Sequence, residues 1–229
     1  MPSDFTADTG SSDDQLEFGL ARELIGAIDA SIGEGYIPLS KEDKRSVLDL
    51  IIELESSGVD TDVQFPRDLE KLDGRWRLMF TNNLLGLSKL SPVQLKDVYQ
   101  VVDSASGTLT NVAYAYVSPP MFAETWGRLG DQVGQLARVV EDTVSFPVDF
   151  NIKHSLEVTS KSSPAQVQLV QKEFNFLKVE DPDRRSLVLP ALQPLAAAGA
   201  GRFDTTFLSD QVRVSRGRFG EVRVFLKEA

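Results

Sequence analysis

Val144-Ser-Phe146-Pro-Val148-Asp-Phe150-Asn-Ile152 is the stretch that decides the fold. Its apolar residues occupy every second position, while Ser145, Pro147, Asp149, Asn151 and Lys153 fill the alternate ones. Side chains of an extended chain point to opposite faces in turn, so the pattern predicts a strand with one buried and one wet face. Pro147 has no backbone N–H to give to a neighbour, which predicts an edge or a bulge at that point. The same period runs outward in both directions. Trp76, Leu78 and Phe80 alternate with Arg75, Arg77 and Met79. Val98–Val102 and Leu109–Val117 read as short strands about a turn at Gly107, and Val167–Val179 reads as another, ending at Asp181-Pro-Asp183. Phe203–Leu208, Gln211–Ser215 and Glu221–Leu226 close the chain, with hairpin turns at Ser209-Asp210 and Gly217–Gly220. Many short antiparallel strands in series predict a sandwich or a barrel.

The N-terminal part obeys a different period. Residues 1–11 are small and polar and are expected to be disordered. Ser12-Asp-Asp-Gln15 has the form of a capping box, and Leu16, Leu20, Leu24, Ile28 and Ile32 recur every fourth residue, which lines one helix face before Gly33 and Gly35. Ser40-Lys-Glu-Asp43 repeats the start signal. Val47, Leu48, Ile51, Ile52 and Leu54 supply the apolar face, and Ser56-Ser57-Gly58 the stop. Residues 12–70 are therefore expected to form a helical hairpin, and residues 71–229 the β domain. Two such helices are too short to be stable alone, so their stripes must bury against the strands.

Composition excludes several chemistries. The 229 residues contain no cysteine and one histidine, so there is no thiolate nucleophile, no disulfide framework and no multi-histidine metal site, and neither metal nor cofactor is expected. The net charge of -10 is uneven: Met1–Glu70 carries 17 acidic and 5 basic side chains (net -12), and Lys71–Ala229 carries 17 and 19 (net +2). A polyanionic chain start disfavours nucleic acid, whose binders cluster Lys and Arg. No apolar run approaches the roughly 18 residues needed to span a bilayer as a helix. The opening Met1-Pro-Ser-Asp-Phe-Thr-Ala-Asp is unlike a targeting peptide, which predicts a cytosolic protein or a mature chain without its presequence.

The sites that the residues offer are few. His154 continues the apolar face of Val144–Ile152, either as a core histidine or as a polar contact inside a cavity. Glu141-Asp142 and the Asp181/Asp183 pair fit strand and turn chemistry better than acid–base work. Gly199-Ala-Gly201 is only a fragment of a phosphate-binding pattern. No complete catalytic constellation is visible, and no enzymatic activity is expected. Gly74-Arg75-Trp76 opens the first strand, and Arg213 and Arg216 lie on the next-to-last. In a closed barrel first and last strands are neighbours, so a guanidinium over the Trp76 indole would close the base. Trp76 as a plain core aromatic is the alternative. Ser186–Gly201 contains Leu187, Leu189, Leu192 and Leu195, and its Pro190 and Pro194 bar a regular helix or central strand. Pro119-Pro-Met121-Phe122 with Trp126, and Leu84-Leu85-Gly-Leu87, are similar apolar loops. Such loops are buried, cover a ligand or touch a membrane.

Asp204-Thr-Thr-Phe-Leu-Ser-Asp-Gln-Val-Arg213-Val-Ser-Arg216-Gly217, Gly220-Glu-Val-Arg-Val-Phe225 and Leu72-Asp-Gly74-Arg-Trp76-Arg-Leu-Met-Phe-Thr81 together resemble the plastid lipid-associated protein (fibrillin) family. Val98–Val102 and Asn111-Val112 add to the likeness, whereas Phe80 and Phe207 stand where such sequences often carry Tyr. The resemblance implies a mainly β fold, a lipocalin-like antiparallel β-barrel with an N-terminal α-helical hairpin. It implies binding, storage or transport of hydrophobic molecules such as isoprenoids, quinones, carotenoids or fatty acids. It also implies peripheral association with plastoglobules or thylakoids, in a plastid or in a cyanobacterial cell. An adaptor role beside an isoprenoid or plastoquinone biosynthetic enzyme is the alternative. On this reading Trp76, Phe80, Phe146 and Phe150 line the ligand, His154, Arg213 and Arg216 orient it or close the barrel, and Met121, Phe122, Trp126, Leu189, Leu192 and Leu195 meet the lipid surface.

Overall fold

The computed structural model describes residues 12–31, 40–58, 60–82, 93–117, 146–161, 164–176, 201–218 and 220–228. Eight strands follow one another: β1 (Gly74–Thr81), β2 (Val93–Asp103), β3 (Thr108–Val117), β4 (Phe146–Ser160), β5 (Ala165–Phe176), β6 (Gly201–Leu208), β7 (Val212–Gly217) and β8 (Val222–Lys227). Each pairs antiparallel with the next, and β8 returns to β1, which closes the barrel. Closure removes the sheet edges that would otherwise template aggregation. The expected mainly β barrel behind two helices is what the chain forms. Pro147 pairs with Tyr116 of β3, and β5 joins β4 only from Phe150 onward, so the proline sits where its missing N–H breaks no described β4–β5 bond.

Alternation brings Val148, Phe150, Ile152 and His154 to the lumen, on the same face as Leu109, which His154 opposes across the β3–β4 ladder. One end of the lumen is sealed. Val63, Phe65, Leu69 and Leu72, from the segment that precedes β1, pack with Trp76, Leu78, Val102, Leu109, Val167, Leu169, Phe203, Leu208 and Phe225 in one apolar cluster. Three tethers fix this strap. The Phe65 N–H donates to the Lys161 carbonyl at 3.1 Å, the Leu208 N–H donates to the Asp60 carbonyl at 3.0 Å, and Asp73 accepts from the Ser104 N–H at 2.6 Å and its Oγ at 2.8 Å. Lys161 and Ser104 lie in the β4–β5 and β2–β3 turns and Leu208 ends β6 at its turn into β7, so all three tethers lie at the same end of the barrel. In an up-and-down barrel the other connections emerge at the opposite end. At that end β1, β3, β5 and β7 finish and β2, β4, β6 and β8 begin.

The helices α1 (Ser12–Ser31) and α2 (Lys41–Ser56) pack on the outer wall. Ser40 caps α2, its Oγ accepting from the Asp43 N–H, and Gly58 beyond its end has φ +83°, a left-handed turn suited to glycine. Leu24, Ile28, Val47, Ile51 and Leu54 are fully buried against Met79, Phe80, Phe207, Val212, Val214, Val222 and Val224. At about 1.5–3 kcal/mol for each large apolar side chain removed from water, this seam is what makes the short helices stable. Polar contacts fix the register: Lys44 donates to the Asn82 carbonyl at 2.8 Å, and Glu55 accepts from Arg216 and Thr206.

Two bulges change the faces that a strict period of two assigns. The β1–β8 register shifts between Leu78 and Phe80, and the β6–β7 register shifts between Thr205 and Phe207. Each extra residue turns the following side chain outward. Phe80 and Phe207 consequently join the helix-facing cluster, while Trp76, Leu78 and Phe203 remain in the lumen cluster. The expectation that Phe80 lines a ligand is therefore corrected: its ring packs beneath the helices, on the outer face.

Candidate functional site: the sealed floor of the barrel

Trp76 is fully buried at the sealed end, and its Nε1 donates to the Leu72 carbonyl at 2.7 Å, which ties the strap to β1. The Arg213 guanidinium lies over the Trp76 ring at 5.0 Å from its centroid and over the Phe225 ring at 4.1 Å, and it donates to Gln100 Oε1. Closure of the base by a guanidinium on the indole is thus what the fold builds, with Arg213 in that part. Lys227 adds a second cation 5.1 Å from the Trp76 centroid, and a Cβ at Gly74 would come within 3.0 Å of the Lys227 Cε. Gly74 has φ +115° as well, so both backbone and space favour glycine there.

Arg216 lies three residues after Arg213, and an odd separation on a strand sends the two side chains to opposite faces. Arg216 points outward, where its Nε donates to Glu55 Oε1 at 2.8 Å, and Glu55 holds the guanidinium pKa above its ordinary value. Its assignment as a ligand contact is corrected to that of a clamp between β7 and α2.

The polar groups of the lumen floor come from four strands: Gln100 on β2, Thr205 on β6, Arg213 and Ser215 on β7, and Arg223 on β8. They share one cavity of about 20 Å³ with seven apolar side chains. The Arg223 guanidinium lies 4.2 Å from the Phe203 centroid. Burial, with the Arg223 charge adding to it, pushes the Arg213 pKa down to about 9. Arg223 is pushed down by burial to about 10, against an opposing pull from Glu221. Wider clefts occur on the outside of the wall. One of about 370 Å³ is bordered by Arg75, Tyr99, Tyr114 and Tyr116, and one of about 550 Å³ by Gln166, Gln168, Arg202 and Arg218.

Phe150 is buried and stacks on Phe174 at 5.5 Å with 14° between the rings. Phe146 begins β4 opposite Val117, and its side chain lies outside the described residues. His154 is wholly buried between Leu109 and Gln171, and neither ring nitrogen has a hydrogen-bond partner in the protein. Desolvation holds its pKa below the ordinary value. Backbone groups of Ile152 and Leu109, short of hydrogen-bond geometry, pull weakly the other way. The consequence for stability has a definite sign. The unfolded chain takes up a proton near about pH 6.5 and the native ring resists it, so stability is lost as pH falls below about 7, at no more than about 1.4 kcal/mol per pH unit. Urea midpoints should fall between pH 7 and pH 5, and His154→Leu should flatten that slope; an unchanged slope in the variant would assign it to other groups.

Met121, Phe122, Trp126, Leu189, Leu192 and Leu195 lie outside the described residues, as do residues 1–11, Leu84–Leu87, Glu141-Asp142, Asp181–Asp183 and Gly199-Ala200. Among the described residues no group of three or more His, Asp or Glu side chains is placed to hold a metal. The strap residues Val63, Phe65 and Leu69, and the pair Gln100 and Arg223, are absent from the sequence reading of the site. For Arg223 the signal was present, since it alternates with Val222 and Val224 in the last strand.

Two comparisons with known proteins bear on this architecture. The PAP_fibrillin family model matches residues 19–226. Plastid-lipid-associated protein 6, chloroplastic, of Arabidopsis thaliana is 27% identical over 190 residues, covering 76% of this chain and 58% of that relative. The chain thus spans little more than half the length of the curated relative it matches.

Proposed function

The chain belongs to the PAP_fibrillin family, whose model runs across nearly its whole length, and on that premise we propose that it is a non-enzymatic, peripheral lipid-associated protein of plastids. In this role it binds, stores or carries apolar molecules and meets a plastoglobule or thylakoid surface. One observation carries the reading: the barrel is sealed at one end, and every long connection joins strand ends at the other. The apolar sequences Leu84–Leu87, Met121-Phe122 with Trp126, and Leu187–Leu195 all fall within those connections. The name of the Arabidopsis relative supports the plastid as compartment and lipid as the associated material.

Charge contributes little to this contact. The β portion is only +2 and the N-terminal third is -12, so an anionic leaflet repels the helices and offers the barrel slight attraction. Apolar insertion supplies the affinity, at roughly 1.5–3 kcal/mol for each large side chain buried. Flotation with galactolipid vesicles containing a minor fraction of phosphatidylglycerol tests this. Binding should survive added salt and fall at least about tenfold in the Leu192→Asp/Leu195→Asp double variant. If salt abolishes flotation while the double variant floats normally, a basic surface that includes Arg202 and Arg218 must replace the loop contact.

A further inference from the structure

We propose that the lumen floor is an anion site, and that it takes the carboxylate of a long-chain fatty acid between Arg213 and Arg223 with the tail directed away from the sealed end. The inference rests on the reading of the barrel as a binder of apolar molecules. Its observations are the walls of the small cavity: two arginines, three neutral polar residues (Gln100, Thr205 and Ser215), seven apolar side chains and no carboxylate. Arg213 is only 4% exposed, yet its Nε has no hydrogen-bond partner, while the guanidinium spends one N–H on Gln100 and its face on Trp76 and Phe225.

A guanidinium buried without a counter-ion is costly, and a second one on the same cavity adds like-charge repulsion. The repulsion is expressed in the depressed pKa of Arg213, to which Arg223 contributes beside burial. Glu221 offsets part of the Arg223 charge from outside the cavity, whose own walls hold two guanidinium groups and no carboxylate. A carboxylate removes that excess and accepts from the idle Nε–H. A water molecule satisfies the Nε–H and leaves the charge in place; a carotenoid or quinone leaves both. Size sharpens the class. About 20 Å³ admits a group on the scale of one water or of carboxylate oxygens. Above the floor, the β4 face presents the buried, unpartnered His154, then Ile152 and Phe150, which stacks on Phe174, so beyond the imidazole the tail meets an apolar wall.

The test uses the delipidated full chain with palmitate, methyl palmitate and a neutral prenylquinone, each titrated at neutral pH and followed by tryptophan fluorescence. Palmitate should bind at least about tenfold more tightly than its methyl ester, the scale of a charge-assisted contact. That preference should vanish in Arg213→Met and in Arg223→Met. Thr205→Leu, which fills the cavity without changing charge, should weaken palmitate and leave the ester as it was. The acid–ester comparison needs no variant, so misfolding of one cannot hide the answer. Equal affinity for acid and ester overturns the anion site, as does a preference that survives both arginine changes. Binding of the quinone without palmitate overturns the anion site and leaves the binding role standing. Failure of all three probes removes the binding role and the anion site together.

Discussion

Trp76→Ala is expected to lower the unfolding free energy by about 3–5 kcal/mol in urea melts, the usual cost of deleting a buried aromatic. The upper half of that range is favoured by what the indole holds. Its Nε1 supplies the hydrogen bond to the Leu72 carbonyl, and its ring carries Arg213 on one contact and Lys227 on another. Alanine leaves a buried carbonyl and a buried guanidinium each short of a partner, and such losses cost more than the contact itself gains. The strap should loosen as well, since Leu72 packs in the same cluster. A loss below about 1 kcal/mol would take Trp76 out of the core and undo the account of the sealed end.

The strands were legible because alternation is a local property. Each of β1 to β8 overlaps a run of period two or a β-rich run, and the turns at Gly107 and Ser209-Asp210 fall between strands as their chemistry requires. The Trp76–guanidinium contact was legible too, because closure makes the first and last strands neighbours whatever the loops do. Which arginine makes it was open at the sequence level, although the odd spacing of 213 and 216 already forbids both from facing inward. The faces of Phe80 and Phe207 were not legible. A bulge adds one residue without any compositional mark, so the apparent alternation of Trp76, Leu78 and Phe80 continues through the point where the face changes. The strap was hidden for another reason. Val63 and Phe65 stand two apart, and Phe65, Leu69 and Leu72 stand at i, i+4 and i+7, so no single period runs through the segment and each run is too short to announce an element.

Phe207→Ala is expected to cost about 3–5 kcal/mol as well, but with a different signature. Phe207 is fully buried, and its neighbours in the core are helix residues Leu24, Ile28, Val47, Ile51 and Leu54 together with the outer faces of β1, β7 and β8. Removing the ring opens a void in the seam between α1, α2 and the wall and weakens the packing that Met79, Phe80, Val212, Val214, Val222 and Val224 still supply beside the polar contacts of Glu55 and Lys44. Those contacts are partly exposed and worth little alone, because solvent screens them. Short helices cannot persist without their packing, so detachment should precede global unfolding. Amide exchange in α1 and α2 should accelerate more than in β2 to β5, a sub-global opening confined to the helical layer. In Trp76→Ala the strands should lose protection with the helices, because that side chain serves the barrel itself. Equal acceleration of helices and strands in Phe207→Ala would place the ring in the lumen and restore the unbroken alternation that the β6–β7 bulge interrupts.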